Sequence, residues 1–230
     1  MRFLLIRHGQ STNNLLWEQT GAVDGREPDA PLTDLGHEQA RLLAKSLAGG
    51  VLPHAIDGLH CSLMTRAVQT AAPIADALDL PLQAHAEIFE VGGLFTEEEE
   101  VKTPFSGSTR EALTEVSGRL VWPDGVVEAG WHTAEVVEEV EAAEDRARSV
   151  VEWLRETYAD EDTVALVTHG YFIQLLLRAF LGIDGISGWF EIHNTSVTLI
   201  EDVTSSDMGT MVTVRKLDWT PHLSPEQLSE

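Results

Sequence analysis

The chain has 230 residues, a single cysteine, and 15 Lys and Arg against 38 Asp and Glu, for a formal charge of −23. That length suits one large α/β domain with a substantial core, and a surface so acidic repels nucleic acid and anionic membranes. Cys61 alone forms no intramolecular disulfide and no multi-cysteine zinc site, and the acidity itself reads as solubility or salt tolerance.

In chain order, Phe3-Leu4-Leu5-Ile6 is a bounded apolar run that reads as a buried strand and breaks into Arg7-His8-Gly9-Gln10-Ser11-Thr12. Ser11 to about Gln19 forms a first helix, and a loop rich in Gly, Asp and Pro follows from Gly21 to Pro31. Thr33 or Asp34 N-caps a helix to about Leu47, which Gly49-Gly50 ends. Ile56 to Cys61 is a second strand, and Ser62 caps a helix from Met64 to Leu78 that Pro73 kinks or divides. Leu80 to Ala84 is a weak strand. Gly92 to His132 fits neither period and reads as an excursion over one sheet edge, with short helices around Glu97 and Thr109. The run Glu97-Glu98-Glu99-Glu100 is expected to be a solvated helix face.

From Thr133 onward Val136, Val140, Ala143, Ala147, Val150 and Leu154 recur at helical spacing. Val164-Ala165-Leu166-Val167 is another buried strand and leads into Thr168-His169-Gly170, then a helix from roughly Phe172 to Leu181. Thr195 to Glu201 and Thr210 to Leu217 are β-rich, and the tail after Trp219 is expected to pack loosely. The apolar run before Arg7 is too short for a signal peptide, and no stretch reaches the about eighteen residues of a membrane span. A soluble, cytoplasmic protein is expected.

Strands alternating with helices predict a parallel sheet, and ligands of such sheets bind outside the carboxyl ends of the strands. Two strands that each end in His-Gly would deliver two imidazoles to one crevice. An arginine beside a histidine, at a strand end and before a helix start, suits a phosphate. The helix offers free N–H groups, Arg7 offers a planar fork, and Gly9 lets a ligand approach the backbone. A neutral imidazole there can attack phosphorus and carry the group covalently. Two histidines with a carboxylate could instead hold zinc. The adjacent arginine opposes a cation, and no His-x-His or HExxH spacing occurs, so no metal site is expected. Ser62 at a helix start and Arg66 one turn later place a second guanidinium near a strand's carboxyl end.

Arg7-His8-Gly9-Gln10-Ser11-Thr12-Asn13-Asn14 closely resembles the signature of the histidine phosphatase superfamily, the phosphoglycerate mutase-like fold. Pro31 to Ala40 (PLTDLGHEQA) is similar to the family's PLTxxGxxQA segment, Ser62 to Thr70 (SLMTRAVQT) to its SxxxRAxQT helix, and Thr168-His169-Gly170 to its second histidine motif. Four matches in family order cover most of the chain and thin out between Gly92 and His132. The resemblance implies a three-layer α/β/α sandwich with a mostly parallel central sheet. The chain then forms a single domain, 1–230, with a lid-like insertion at about 92–132.

It also implies roles. His8 would be the phosphorylated nucleophile. Arg7, Arg66 and His169 would surround the phosphoryl group, and Asn14 and Gly170 would complete the phosphate site without a metal or other cofactor. Family members place a glutamate after the third strand, closely followed by glycine, as proton donor. Glu87 and Glu90 both qualify, and Glu90, directly before Val91-Gly92-Gly93, is favoured.

His193-Asn194-Thr195-Ser196 either faces the pocket or makes a turn, and His132 with Trp131 belongs to a packed edge or the substrate entrance. His37, His54, His60, His85 and His222 read as structural or exposed. The family includes mutases and phosphatases. Between Val91 and Glu135 stand three basic residues (Lys102, Arg110, Arg119) against nine acidic ones. So acidic a segment is a poor clamp for a trianionic sugar acid, and its aromatics suit a less charged leaving group. A phosphatase of small phosphorylated metabolites is therefore expected ahead of a mutase. A catalytically silent member is disfavoured by the complete Arg7, His8, Arg66, His169 set. A homodimer is compatible with all of this; nucleic-acid and membrane partners are not.

Overall fold

The computed structural model describes residues 1–230 except 99, 100, 127, 161, 186, 187 and 206–208. The chain opens with β1 (Arg2–Arg7) and α1 (Thr12–Thr20), whose N-cap Ser11 and Asn14 form a reciprocal capping box. In α2 (Asp34–Ala48) the N-cap is Thr33, whose hydroxyl accepts from the Gly36 N–H. Next come β2 (Gly58–Cys61), α3 (Thr65–Leu78) and β3 (Leu82–Ala84). The excursion holds β4 (Phe95–Glu98), β5 (Val101–Pro104), α4 (Arg110–Val116) and β6 (Leu120–Val121). Then follow α5 (Val140–Thr157), β7 (Thr163–Thr168), α6 (Gly170–Leu181), β8 (Val197–Ser205) and β9 (Gly209–Trp219), with a 3-10 turn at Pro225–Gln227.

Among the described residues, seven strands form one sheet in the order β6-β3-β2-β7-β1-β8-β9. The strands from β6 to β1 run parallel, and β8 and β9 add an antiparallel edge. Alternation along the strands sorts the core into two layers. Leu4, Ile6, Leu59, Cys61, Ala165 and Val167 face Leu43 and Leu47 of α2 and Ala67, Val68 and Ile74 of α3. Phe3, Leu5, Val164 and Leu166 face Ala147, Val150 and Leu154 of α5 and Phe172, Leu176 and Phe180 of α6. Because both faces are covered, β1 and β7 are apolar throughout their middles rather than alternating. The expected three-layer α/β/α sandwich is the observed fold.

The departures have local causes. Around Glu97 the chain forms an antiparallel hairpin, β4 on β5, and not a helix; Phe95 pairs with Pro104 and Glu97 with Lys102. Opposite charges face each other across that ladder, and Glu99 and Glu100 lie outside the described residues. The helix expected from Thr133 begins only at Val140, and Val136, on the expected apolar stripe, is 73% exposed. Ser62 is not the cap of α3: the N-cap is Met64, without a side-chain bond. Asp29 caps from a distance instead, accepting from the Thr65 N–H and hydroxyl. Pro73 sits inside α3, which continues through it to Leu78. The strand expected from Thr195 starts at Val197, because Thr195 takes a left-handed φ of 57°. The tail is docked, not loose: the Ser229 carbonyl accepts from the Asn194 N–H, and the Gln227 carbonyl from Gln39 Nε2.

Candidate active site

The two His-Gly turns meet because their strands are neighbours. Arg7 of β1 is in register with Thr168 of β7, so the next residues, His8 and His169, emerge side by side with ring centroids 5.1 Å apart. Strand β2 ends on the other side of β7, where Ser62 Oγ lies 2.9 Å from His169 Nε2.

Short contacts fix the loop that carries His8. The Gly9 N–H donates to Thr70 Oγ1, and Asn194 Nδ2 donates to the His8 carbonyl at 3.0 Å. Thr195, in its left-handed turn, adds its N–H to the same carbonyl. The His193 to Ser196 segment is thus a turn that braces the nucleophile's backbone. A Cβ at Gly9 would come within 2.6 Å of the Gly36 carbonyl oxygen, and one at Gly36 within 2.1 Å of that of Gln10. Only glycine at both positions lets the start of α2 close on this loop.

The tautomer of His8 follows from its partners. Its Nδ1 lies 2.7 Å from the Gly9 carbonyl oxygen, which only accepts, so Nδ1 carries the proton. Nε2 therefore bears the lone pair, and Arg66 Nε donates to it at 3.0 Å. Burial lowers the His8 pKa well below 6.5, and Arg66 and Arg7 lower it further, so the ring is neutral at neutral pH. His169 is lowered well below 6.5 in the same way, by burial first and then Arg66 and His8. Arg7 reaches the Ile192 carbonyl through Nη1 at 2.5 Å, while its Nε has no partner. Burial lowers the pKa values of Arg7 and Arg66, and the carboxylate of Glu90 opposes this at both.

Glu90, not Glu87, reaches this region. Its Oε1 accepts from the Val91 and Phe172 N–H groups at 2.9 and 3.0 Å, and Oε2 accepts from the Tyr171 N–H at 3.3 Å. The start of α6 thus holds the carboxylate with its free N–H groups. Glu87 is exposed, and its carbonyl accepts from Arg146 Nη1. Arg146 is itself buried between the rings of Phe89 and Phe172 and is held by both oxygens of Glu138. It thereby ties α5 to the segment that presents Glu90.

A cavity of about 160 Å³ opens over His8. Arg7, Arg66, Glu90, Ser11 and Asn14 line it, together with Asn13, Trp17, Ala22, Val23 and Arg26. The Asn14 oxygen is occupied by Ser11, which leaves the amide donors. His169 and Gly170 stand behind the wall: His169 is fully buried with Nδ1 unpartnered, and a Cβ at Gly170 would sit 3.2 Å from Arg7 Nε. Sequence reasoning missed Arg26, whose only signal was its being a lone cation in the Gly21 to Pro31 loop. Segment 92–132 meets the Asp29 loop and the start of α3 through Ser108, which donates to Asp29 and lies 2.9 Å from Thr65 Oγ1.

Of the remaining histidines, His54 is exposed, and five are held by packing or hydrogen bonds away from the cavity. His132 and Trp131 are buried, with His132 Nδ1 at the Phe105 carbonyl, so they form a packed edge. Among the described residues, Glu191, His193 and Asp218 bring possible metal-ligand atoms within 4.8 Å of one another. Both Asp218 oxygens already accept from His193, at 2.7 and 2.6 Å, which makes this a histidine–carboxylate clamp. His60 packs edge-on against Trp153 and hydrogen-bonds Tyr158, and His85 lies 4.2 Å from Trp153 between ring centroids.

Burial lowers His60, His85 and His222 from 6.5 to about 4, with His85 adding to the shift at His60. Unfolded, each binds its proton near pH 6.5, so over this window the unfolded chain holds more protons. Stability is then fully present above about pH 6.5 and falls as pH drops toward about 4, each histidine adding up to about 1.4 kcal/mol per pH unit. Denaturant titrations at about pH 7, 6 and 5 are expected to show this loss; equal stability at all three would contradict it.

The sequence pattern of the histidine phosphatase superfamily (branch 1) matches residues 3–206, and the chain belongs to that family. It is 30% identical to a putative phosphoserine phosphatase 2 of Hydrogenobacter thermophilus, over 97% of this chain and 99% of that one. It is 25% identical to a probable phosphoglycerate mutase of Yersinia enterocolitica, over 100% and 98%. The solved structure of a mycobacterial glucosyl-3-phosphoglycerate phosphatase shares the fold, with a TM-score of 0.61 at 21% identity over 95% of this chain and 98% of that one. Among the described residues no helix is long and apolar enough to cross a membrane.

Proposed function

We propose that this member of the histidine phosphatase superfamily hydrolyses small phosphomonoesters through a phosphohistidine at His8. The observation that carries the reading is a set of donors left over around one nucleophile. Arg7 Nε and His169 Nδ1 are buried without partners, beside a histidine whose Nε2 carries a lone pair held by Arg66 Nε. Arg7 lines the cavity, and a phosphoryl group bound there would supply the acceptor that its Nε lacks. Ser62 Oγ accepts from the Met64 N–H and lies 2.9 Å from His169 Nε2, which holds the His169 ring in place.

In the first step Arg66 Nε passes its hydrogen bond from His8 Nε2 to a phosphoryl oxygen, and the freed lone pair attacks phosphorus while the bond to the leaving oxygen breaks. Arg7, Arg66 and the Asn14 amide hold the equatorial oxygens, with the neutral His169 behind them, and the two guanidiniums supply the positive charge that metal ions supply in other phosphoryl-transfer sites. The Gly9 carbonyl accepts from Nδ1–H and stabilises the positive ring that forms. Glu90 gives its proton to the leaving alkoxide, and Oε2, held by one long bond, is the oxygen left for that task. In the second step water attacks the phosphohistidine, Glu90 takes its proton, and phosphate departs as His8 returns to neutrality.

The relative named as a phosphoserine phosphatase supports hydrolysis, and the one named as a probable mutase keeps transfer to a second hydroxyl as the other reading. The cavity volume favours hydrolysis. About 160 Å³ suits one small monoester and falls below the roughly 300–1,000 Å³ of common ligand pockets, leaving little room to turn a bisphosphorylated intermediate. Segment 92–132 would act as a cover over the loop at Asp29. With 3-phosphoglycerate as substrate, net phosphate release is expected whether or not 2,3-bisphosphoglycerate is present. Rapid exchange of the phosphoryl position with little net release would favour the mutase reading.

A further inference from the structure

We infer that Asp29 is the standing counter-ion of Arg66 when the cavity is empty, and that its charge keeps phosphate from being held too tightly. The inference rests on the phosphatase reading, since it concerns the product which that reaction must release. Arg66 is buried, and its guanidinium donates through Nε to His8 at 3.0 Å and through Nη2 to Met64 Sδ at 3.1 Å. Among the described residues it makes no ion pair. A buried cation without a contacting carboxylate is costly, so charges a little farther off decide how well the empty site tolerates it.

Four charged side chains act on Arg66. Arg7 and Arg26 line the same cavity and repel it, whereas Asp29 and Glu90 attract it, Asp29 more strongly. Glu90 must be protonated, and so uncharged, when it meets the substrate as proton donor. It is therefore a counter-ion for only part of the cycle. Asp29 has no such duty, and it stands outside the cavity lining.

Its carboxylate is fixed at the start of α3 by three hydrogen bonds. Oδ1 accepts from the Thr65 N–H at 2.9 Å, and Oδ2 accepts from the hydroxyls of Thr65 and Ser108 at 2.7 and 2.9 Å. Thr65 directly precedes Arg66 in the chain. The loop is pinned from its other side as well: Asn13 Nδ2 donates to the Glu27 carbonyl at 2.8 Å, and the Glu27 N–H donates back to Asn13 Oδ1 at 2.9 Å. Asp29 thus gives Arg66 a negative field without contact, and the Nη1 donors stay free for a phosphoryl group.

The sign of the effect follows. The empty site gains from the charge of Asp29, whereas an anion lying against Arg66 is repelled by it. Removing the charge should make the free protein less stable and its phosphate complex tighter. A merely supporting contact would act the other way, because loosening the start of α3 weakens the hold on phosphate.

The test measures inorganic phosphate on the full chain, by calorimetry and as a competitor in the turnover of an aryl phosphate. Asp29→Asn removes the charge and keeps the shape, since Oδ1 can still accept from the Thr65 N–H and both hydroxyls can turn to accept from the amide. It is expected to melt at a lower temperature without phosphate and to bind phosphate roughly three- to tenfold tighter, the scale of one partly screened charge. Asp29→Ser, a second uncharged side chain with an acceptor, should shift both readings in the same direction. Thr65→Val keeps the carboxylate but deletes a hydroxyl bond, and should bind phosphate equally or more weakly. Unchanged or weaker phosphate binding in the folded uncharged variants, or equal tightening in Thr65→Val, would overturn the inference. Failure of the phosphatase reading would show separately, as a wild-type protein that binds phosphate yet releases none from any monoester.

Discussion

His8→Ala is expected to lower kcat on any phosphomonoester by roughly four to six orders of magnitude, the scale seen when a covalent nucleophile is removed. The fold should survive, because the bonds that fix the loop are made by the backbone of this residue. Its N–H donates to the Thr168 carbonyl, and its own carbonyl accepts from Asn194 and Thr195. The loss would therefore report the imidazole alone. Its pH behaviour is informative as well. Burial and the two arginines hold the free His8 neutral well below pH 6.5, so kcat/KM should keep its nucleophile as pH falls through that value. A variant with matching thermal stability and more than a small fraction of wild-type turnover would contradict the assignment.

Glu90→Gln gives the second large effect, and it depends on the leaving group. An alkoxide is a poor leaving group, and its departure needs a proton; general acids contribute roughly 10²–10⁴-fold to such steps. Loss on that scale is expected for alkyl phosphates. An aryl phosphate with a stable phenolate leaves unaided, so its first turnover should be nearly unchanged. The second step still lacks its base, so phenolate should appear as a burst followed by slow release of phosphate. Glutamine preserves the shape of the site, since its carbonyl oxygen can keep the bonds from the Val91 and Phe172 N–H groups that Oε1 now accepts. Equal losses in the first turnover of both substrates would remove Glu90 as proton donor. Glu87→Gln should have little effect, because that side chain is exposed away from the cavity.

The parts legible in the sequence are those written by local rules. Strands β1 and β7 are uniform apolar runs between polar ends, helices α2 and α5 carry clear stripes, and His8 and His169 follow directly from strand ends. Register then joined those ends, since Arg7 pairs with Thr168. Contacts made at long range were not legible. The start of α3 is capped by Asp29, 36 residues earlier, so the nearby Ser62 looked like the cap. Val136 continues an apolar period that the backbone does not follow, because the helix starts where Glu139 leaves the extended conformation. The glutamate run near Glu97 looked helical by charge, yet lysine at 102 and alternating threonines serve a hairpin equally well.

The site divides along the same line. Arg7, His8, Arg66 and Asn14 sit in motifs and in the cavity. The glycines after it favoured Glu90 over Glu87, but the start of α6, which supplies two of its N–H donors from more than 80 residues away, was not legible. Arg26 lies in a loop with no period at all, placed by the Asn13 clamp rather than by any repeating pattern. The tail docks through Ser229 and Gln227 onto Asn194 and Gln39, polar pairs that hydrophobic patterning does not register.

Trapping the phosphoenzyme tests the central claim most directly. The protein is mixed with an aryl phosphate, quenched in base within the first turnover, and mapped by mass spectrometry of its peptides. One phosphoryl group on His8 is predicted, none on the other histidines of the nine in the chain, and accumulation should rise in Glu90→Gln and vanish in His8→Ala. A burst of phenolate with no phosphohistidine, or a phosphoryl group on any other residue, would contradict the account.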